Sequence, residues 1–164
     1  MPSQSNDIGA TGRASPVSIE PVVSELRSPP LNATSTAKMR ATPSRDSSAE
    51  MAVRRALHRL GLRYRVNHRL ELNGQHVRPD VVFTRQRVAV FVDGCYWHGC
   101  PTHGTRPKHN ADYWRHKFER NEARDRRDDA LLRASGWIVV RAWEHEDVAV
   151  VASRVARAVR SCHA

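Results

Sequence analysis

Apolar residues recur at two different periods along this chain, and the switches between them predict its elements. Val53, Leu57 and Leu60 fall on one face at helical spacing. Ahead of them, Asp46-Ser47-Ser48-Ala49-Glu50 reads as a helix start, with Ser47 and Glu50 spaced as a capping box, and Gly61 fits the stop. The period then becomes two. Leu62, Tyr64, Val66, His68 and Leu70 alternate with Arg63, Arg65, Asn67 and Arg69, which predicts a half-exposed strand with one basic face. Asn73-Gly74 predicts a hairpin turn, Val77 to Phe83 the returning strand, and Arg85-Gln86 a second turn. Val88-Ala89-Val90-Phe91-Val92 is apolar on both faces and belongs in the centre of a sheet.

Residues 94–109 are rich in Gly, Cys, His and Pro and read as an irregular loop. Asn110 can cap a long helix from about Ala111 to Ala134, closed by Gly136, with charge crowded between Lys117 and Asp129. Trp137 to Trp143 predicts a further buried strand, and Val148, Val151, Val155 and Val159 mark a last amphipathic helix. The order α-β-β-β-loop-α-β-α predicts an α/β fold with one mixed sheet flanked by helices. Residues 1–37 hold seven Ser and five Pro and no aromatic residue, so they are expected to form a disordered tail. The folded domain is expected over 38–160, with a frayed end at 161–164. There is no internal repeat.

Charge narrows the class of partner. The chain has 164 residues, 27 Lys plus Arg against 17 Asp plus Glu, and a net charge of +10. Residues 1–37 contribute two basic and three acidic residues, which leaves 25 basic and 14 acidic, a net of +11, for 38–164. A domain so charged attracts a polyanion, and nucleic acid is the leading expectation. Mean hydropathy is -0.61, and no apolar run approaches the roughly 20 residues of a membrane span. The first residues lack a basic stretch followed by an apolar one, so no secretory signal is expected. Three Cys without such a signal fit a reducing cytoplasm, where Cys serves as metal ligand or packing residue.

Four groups of residues could carry chemistry. Asp80 follows Pro79 at a strand edge, and Asp93 ends the next strand; two carboxylates there could share a Mg²⁺ ion, or be ordinary strand-end residues. Cys95, Cys100 and His103 offer three ligands for tetrahedral Zn²⁺, with His145 a candidate fourth and His98 and His109 as spares. Tyr96-Trp97 and Tyr113-Trp114 lie in polar surroundings, where rings either stack on bases or pack against the core. Lys117, Asn121 and Arg124 follow Trp114 at helical spacing and could track a phosphate backbone, or be a solvated face. His98 fits a general base or a zinc ligand, and spacing does not separate the two.

The run Val90-Phe91-Val92-Asp93-Gly94-Cys95-Tyr96-Trp97-His98-Gly99-Cys100-Pro101, then His103-Gly104, resembles the signature of the very short patch repair (Vsr) endonucleases. The resemblance extends to Met39-Arg40-Ala41, Arg45-Asp46 through Glu50, Arg78-Pro79-Asp80, Tyr113-Trp114, Asn121, Arg124-Asp125-Arg126-Arg127 and Gly136-Trp137 through Trp143-Glu144, about residues 38–146. It implies a restriction-endonuclease-like α/β core with a structural zinc site. The implied activity is a Mg²⁺-dependent nick of duplex DNA, 5′ of the mispaired T in a T:G mismatch left by deaminated 5-methylcytosine. By position, the resemblance gives Asp80 and the backbone carbonyl of Val92 to Mg²⁺, and has His98 activate or position the attacking water. Glu50 would lie near the scissile phosphate, and Cys95, Cys100, His103 and His145 would bind Zn²⁺. Tyr96, Trp97 and Trp114 would wedge beside the mismatch, with Lys117, Asn121 and Arg124 along the DNA.

The chain departs from the enterobacterial pattern at Val92-Asp93, where that form has Thr-His. Asp93 is therefore either an extra catalytic metal ligand or a strand-end residue. His145 stands where that form has Cys. The rivals are a restriction-type nuclease cutting paired DNA, a zinc-stabilised DNA-binding module without catalysis, and an RNA-processing nuclease. A monomer is expected, because a nick needs only one active site; a mismatch-repair partner is compatible with the family, although no residue here shows one.

Overall fold

The computed structural model describes residues 46–104 and 111–162. The expected tail 1–37, the matching residues Met39 to Arg45, and Thr105 to Asn110 with the helix cap lie outside these.

Helix α1 (Ser48–Arg59) begins as its sequence dictates. Ser47 Oγ accepts the Glu50 N–H at 3.2 Å, and Glu50 reaches back to the Asp46 N–H at 3.1 Å. The expected long strand from Leu62 to Leu70 is broken in two: β1 (Arg65–Val66) and β2 (Leu70–Leu72). The break falls at Asn67, whose backbone is left-handed (φ 48°) and whose N–H donates to the Asp80 carbonyl at 3.1 Å. Alternation alone cannot register such a bend, because Asn is one of the few residues that tolerates it cheaply.

The returning strand is broken too, into β3 (Gln75–Val77) and β4 (Val81–Phe83), with buried Pro79 between them. Asn73-Gly74 closes the β2–β3 hairpin with both residues at positive φ, as the sequence predicts. Strand β5 (Val88–Asp93) is internal, with β4 antiparallel on one side and β6 (Ile138–Trp143) parallel on the other. The main sheet runs β1-β4-β5-β6, and β2-β3 forms a separate two-stranded ribbon. β6 is an edge strand and only partly buried, unlike the expected buried strand; Ile138 is exposed.

Helix α2 (Ala111–Ala134) and helix α3 (Val148–Ser161) flank the sheet. Asp147 caps α3 by accepting the N–H groups of Ala149 and Val150, and the helix includes Ser161, one residue past the expected end of the domain. One face of the sheet buries Val81, Val88, Val90, Val140 and Ala142 against α1 and α3. The other buries Val82 and Ala89 against Leu70, Val77 and Leu132, which joins the ribbon and the end of α2 to the sheet. Each face thus has its own apolar layer, and β5 is rigid because it is packed on both.

Candidate active site and metal centre

The parallel pairing of β5 and β6 builds the site. Asp93 lies opposite Trp143, so the residues two further on, Cys95 and His145, leave the sheet side by side at the carboxyl ends of the strands. Cys95 Sγ and His145 Nδ1 are 3.0 Å apart. Cys100 and His103 arrive from the turns that follow. Their distances are 3.7 Å from Cys100 Sγ to His145 Nδ1, and 3.9 Å from His103 Nδ1 to each sulfur. A tetrahedral zinc ion, with Zn–S about 2.3 Å and Zn–N about 2.0–2.1 Å, spaces its S and N ligands about 3.5 Å apart. All four donor atoms lie within 4.8 Å of one another.

Both thiols are buried and free of disulfides. Burial, Cys100 and Glu144 push the Cys95 thiol up to about 11, so without a cation this donor keeps its proton. Glu144 also accepts the Cys95 N–H at 2.7 Å. A Cβ on Gly104 would sit 2.4 Å from the Cys100 carbonyl oxygen, so only glycine closes this turn without displacement. The donor set and spacing fit zinc.

Asp80 occupies the break between β3 and β4. Its N–H donates to the Val90 carbonyl at 3.0 Å, and its carboxylate accepts the Val92 N–H at 2.7 Å. In an extended strand the N–H and C=O of one residue point to the same side, so the Val92 carbonyl faces the same way, past the end of β4. Burial pushes the Asp80 carboxyl up to about 6; Glu50 and Asp93 push the same way, against the pull of the Val92 N–H and Arg54. A carboxylate raised first by burial and then by neighbouring carboxylates is short of positive charge, and oxygen donors so placed fit a hard divalent cation. Glu50 is buried and pairs with buried Arg54 at 3.1 Å, and Arg54 also holds Asp46. The capping box and a place beside Asp80 are therefore compatible roles for Glu50.

His98 Nδ1 is 2.6 Å from Asp125 Oδ2 and 3.7 Å from Asp93 Oδ1. Burial pushes the Asp125 carboxyl up, but His98, Arg141 and Arg124 outweigh it and hold it below the usual range. Asp125 is thus ionised and accepts from the N–H at His98 Nδ1, which leaves Nε2 as the ring's other nitrogen. Asp93 does not present free oxygens: Arg141 Nη1 donates to both, at 2.7 and 2.8 Å. Arg54, Asp125, Asp129 and Arg141 were not assigned from the pattern. Arg141 had a signal, a charge inside the otherwise apolar run Ile138 to Trp143.

The aromatic residues form one cluster. Tyr96 meets Trp97, Trp114 and Phe118 edge-on, with centroids 4.9, 5.6 and 5.8 Å apart. Tyr96 and Trp97 are half-buried, whereas Trp114 is 3% exposed. Lys117 Nζ lies 4.7 Å from the Trp97 centroid and 5.2 Å from that of Trp114. Burial, with Arg120, lowers its pKa. Asn121 Nδ2 donates to the Trp97 carbonyl at 3.1 Å, while Arg124 is exposed.

An α/β sheet that brings a Cys/His cluster able to hold a metal and a carboxylate-imidazole pair to its strand ends is a candidate hydrolase site. Residues 31–103 match the family model for the DNA mismatch endonuclease Vsr. The type II nicking enzyme V.NaeI of Lentzea aerocolonigenes is 48% identical over 120 residues, which cover 73% of this chain and 72% of that one. The DNA mismatch endonuclease Vsr of Escherichia coli (strain K12) is 35% identical, over 68% of this chain and 70% of its own. The chain therefore belongs to the Vsr family and is a DNA endonuclease. A solved structure, the homing endonuclease I-Bth0305I catalytic domain, matches with a TM-score of 0.47 at 17% identity, covering 73% of this chain and 100% of that one. Among the described residues no helix is long and apolar enough to cross a membrane.

Proposed function

We propose that this endonuclease nicks one strand of duplex DNA on the 5′ side of the mispaired T in a T:G mismatch, on a restriction-endonuclease-like core. The observation that carries the reading is the grouping of three devices about the carboxyl end of β5: the Asp80 carboxylate bonded to Val92, the His98–Asp125 pair, and the half-buried Tyr96–Trp97 rings. A cut at one position on one strand needs one such centre, and the family relatives named nicking enzymes fit that economy.

Asp80 and the Val92 carbonyl would hold Mg²⁺, which when bound activates water and steadies the leaving oxygen of a phosphodiester. His98 takes the proton of the attacking water at Nε2, and Asp125 fixes the ring's tautomer and supports the charge that develops on it. Glu50 would lie near the scissile phosphate, its carboxylate held by Arg54. Asp93 acts as the partner of Arg141 rather than as a metal ligand. Cys95, Cys100, His103 and His145 would hold Zn²⁺, which fixes the segment carrying Tyr96, Trp97 and His98 and so governs geometry.

Tyr96 and Trp97 form the wedge. A T:G wobble pair is cheaper to unstack than a Watson–Crick pair, which gives the wedge its selectivity. Buried Trp114 serves as its base, Lys117 and Asn121 brace it while facing the DNA, and Arg124 contacts phosphate. The test is the ratio of nicking rates on otherwise identical T:G and C:G duplexes. A strong preference for T:G supports the reading; equal rates, or cuts in both strands of paired DNA, favour a restriction-type nuclease.

A further inference from the structure

Arg141 is the only charged residue in β6, and the parallel register sets it opposite Phe91. Its guanidinium carbon lies 4.5 Å from the Phe91 ring centroid. Nη1 donates to both oxygens of Asp93, and Nε donates to Asp129 Oδ1 at 2.9 Å. Nη2 is buried without a hydrogen bond and faces Asp125 Oδ1 at 3.5 Å. One guanidinium thus meets three carboxylates, one from β5 and two from α2, and two of these flank the His98 ring.

Asp93, His98 and Asp125 bring their donor atoms within 4.8 Å of one another, a grouping that could hold a metal ion. Here the cation is covalently part of the protein. Two carboxylates converging on one imidazole repel each other unless a positive charge lies between them. The planar guanidinium answers them in several directions at once, which a lysine ammonium on a flexible stem does not. β6 is also fixed, through the ladder with β5, to the strand that carries Asp93 and leads into the His98 segment.

We propose that Arg141 is a positioning residue of the nuclease site: a resident cation that joins Asp93 to Asp125 and, through Asp125, sets the orientation of His98. The inference rests on the reading of His98 as the group that takes the water's proton.

The experiment is single-turnover nicking of a T:G duplex at saturating enzyme, with DNA affinity, zinc content and melting temperature measured in parallel. The variants are R141Q, R141K, D93N/R141Q, H98Q and H98Q/R141Q. R141Q slows the nick by about 100-fold, the scale of a misplaced catalytic group, with DNA affinity changed by less than about 3-fold. R141K recovers part of the rate. D93N/R141Q recovers at least about 10-fold over R141Q, because the unanswered Asp93 charge is gone. H98Q/R141Q is no slower than H98Q.

Wild-type nicking by R141Q, a loss confined to DNA affinity, or no gain in D93N/R141Q overturns the proposal. Should R141Q not fold, R141K and D93N/R141Q decide it, overturning it if R141K matches wild type or D93N/R141Q is as slow as H98Q. An H98Q enzyme that nicks at the wild-type rate overturns the His98 reading itself. Inactive H98Q with fully active R141Q overturns only the role of Arg141.

Discussion

The Asp80 carboxylate accepts the Val92 backbone N–H at 2.7 Å across the end of β4. That single bond ties the Asp80 carboxylate, the proposed metal ligand, to the strand that leads into the Cys/His cluster. Burial, with Glu50 and Asp93 beside it, raises the Asp80 pKa to about 6 in spite of that bond.

Asp80→Asn tests both consequences. Nicking is lost and mismatch binding is kept. Without divalent ion the variant is also more stable at neutral pH. A carboxyl raised in the folded state from 3.8 to about 6 stabilises the fold fully below 3.8, and that contribution is lost as pH rises through 6. Removing the charge therefore gains on the order of 1–3 kcal/mol at pH 7. Urea denaturation of both proteins in EDTA at pH 7 and pH 4 checks it; a variant less stable than wild type at pH 7 contradicts the assignment.

Asp125→Asn preserves the shape of the His98 pair but permits the wrong tautomer. Nicking falls by about 10²–10⁴-fold, with DNA affinity unchanged. Single-turnover rates beside a binding titration separate the two, and a purely affinity-based loss would place Asp125 in the DNA interface instead.

Chelation tests the Cys/His cluster. Purified protein carries one zinc ion per chain, and Cys95→Ser or His145→Ala loses it together with thermal stability. Elemental analysis and melting curves with and without chelator read this; an unchanged melting temperature removes the structural role.

Gly104→Ala is a more selective probe, because it leaves every ligand in place. The new Cβ meets the Cys100 carbonyl at 2.4 Å, so the turn must open. Zinc affinity falls by about 10–100-fold, the usual cost of disturbing the support of a metal site. Competition with a zinc indicator measures it, and wild-type affinity would show that the turn adapts freely.

The sequence announced the elements better than their breaks. α1, the Asn73-Gly74 turn, β5, α2 and α3 follow from capping residues and apolar period. The split at Asn67 does not, because a local left-handed residue and a tertiary hydrogen bond decide it; Pro79 marked a strand edge without showing that one strand ends there and another begins. The meeting of Cys95, Cys100, His103 and His145 was legible through the family resemblance; spacing alone offered only the first three with His145 as a candidate, since the meeting depends on the parallel register of β5 and β6. The His98–Asp125 contact spans 27 residues, and no spacing rule reaches that far. For Trp114 the sequence left stacking on bases and packing against the core both open, and helical position alone did not reveal the rings of Tyr96 and Phe118 around it.

The most direct measurement is the position of the cut. Duplexes labelled at each 5′ end, carrying one T:G mismatch in several flanking contexts, are incubated with the protein with and without Mg²⁺ beside matched C:G controls. The account predicts one Mg²⁺-dependent nick immediately 5′ of the mispaired T, an intact opposite strand and uncut controls. Cleavage of both strands, or of the paired control at the same rate, contradicts it.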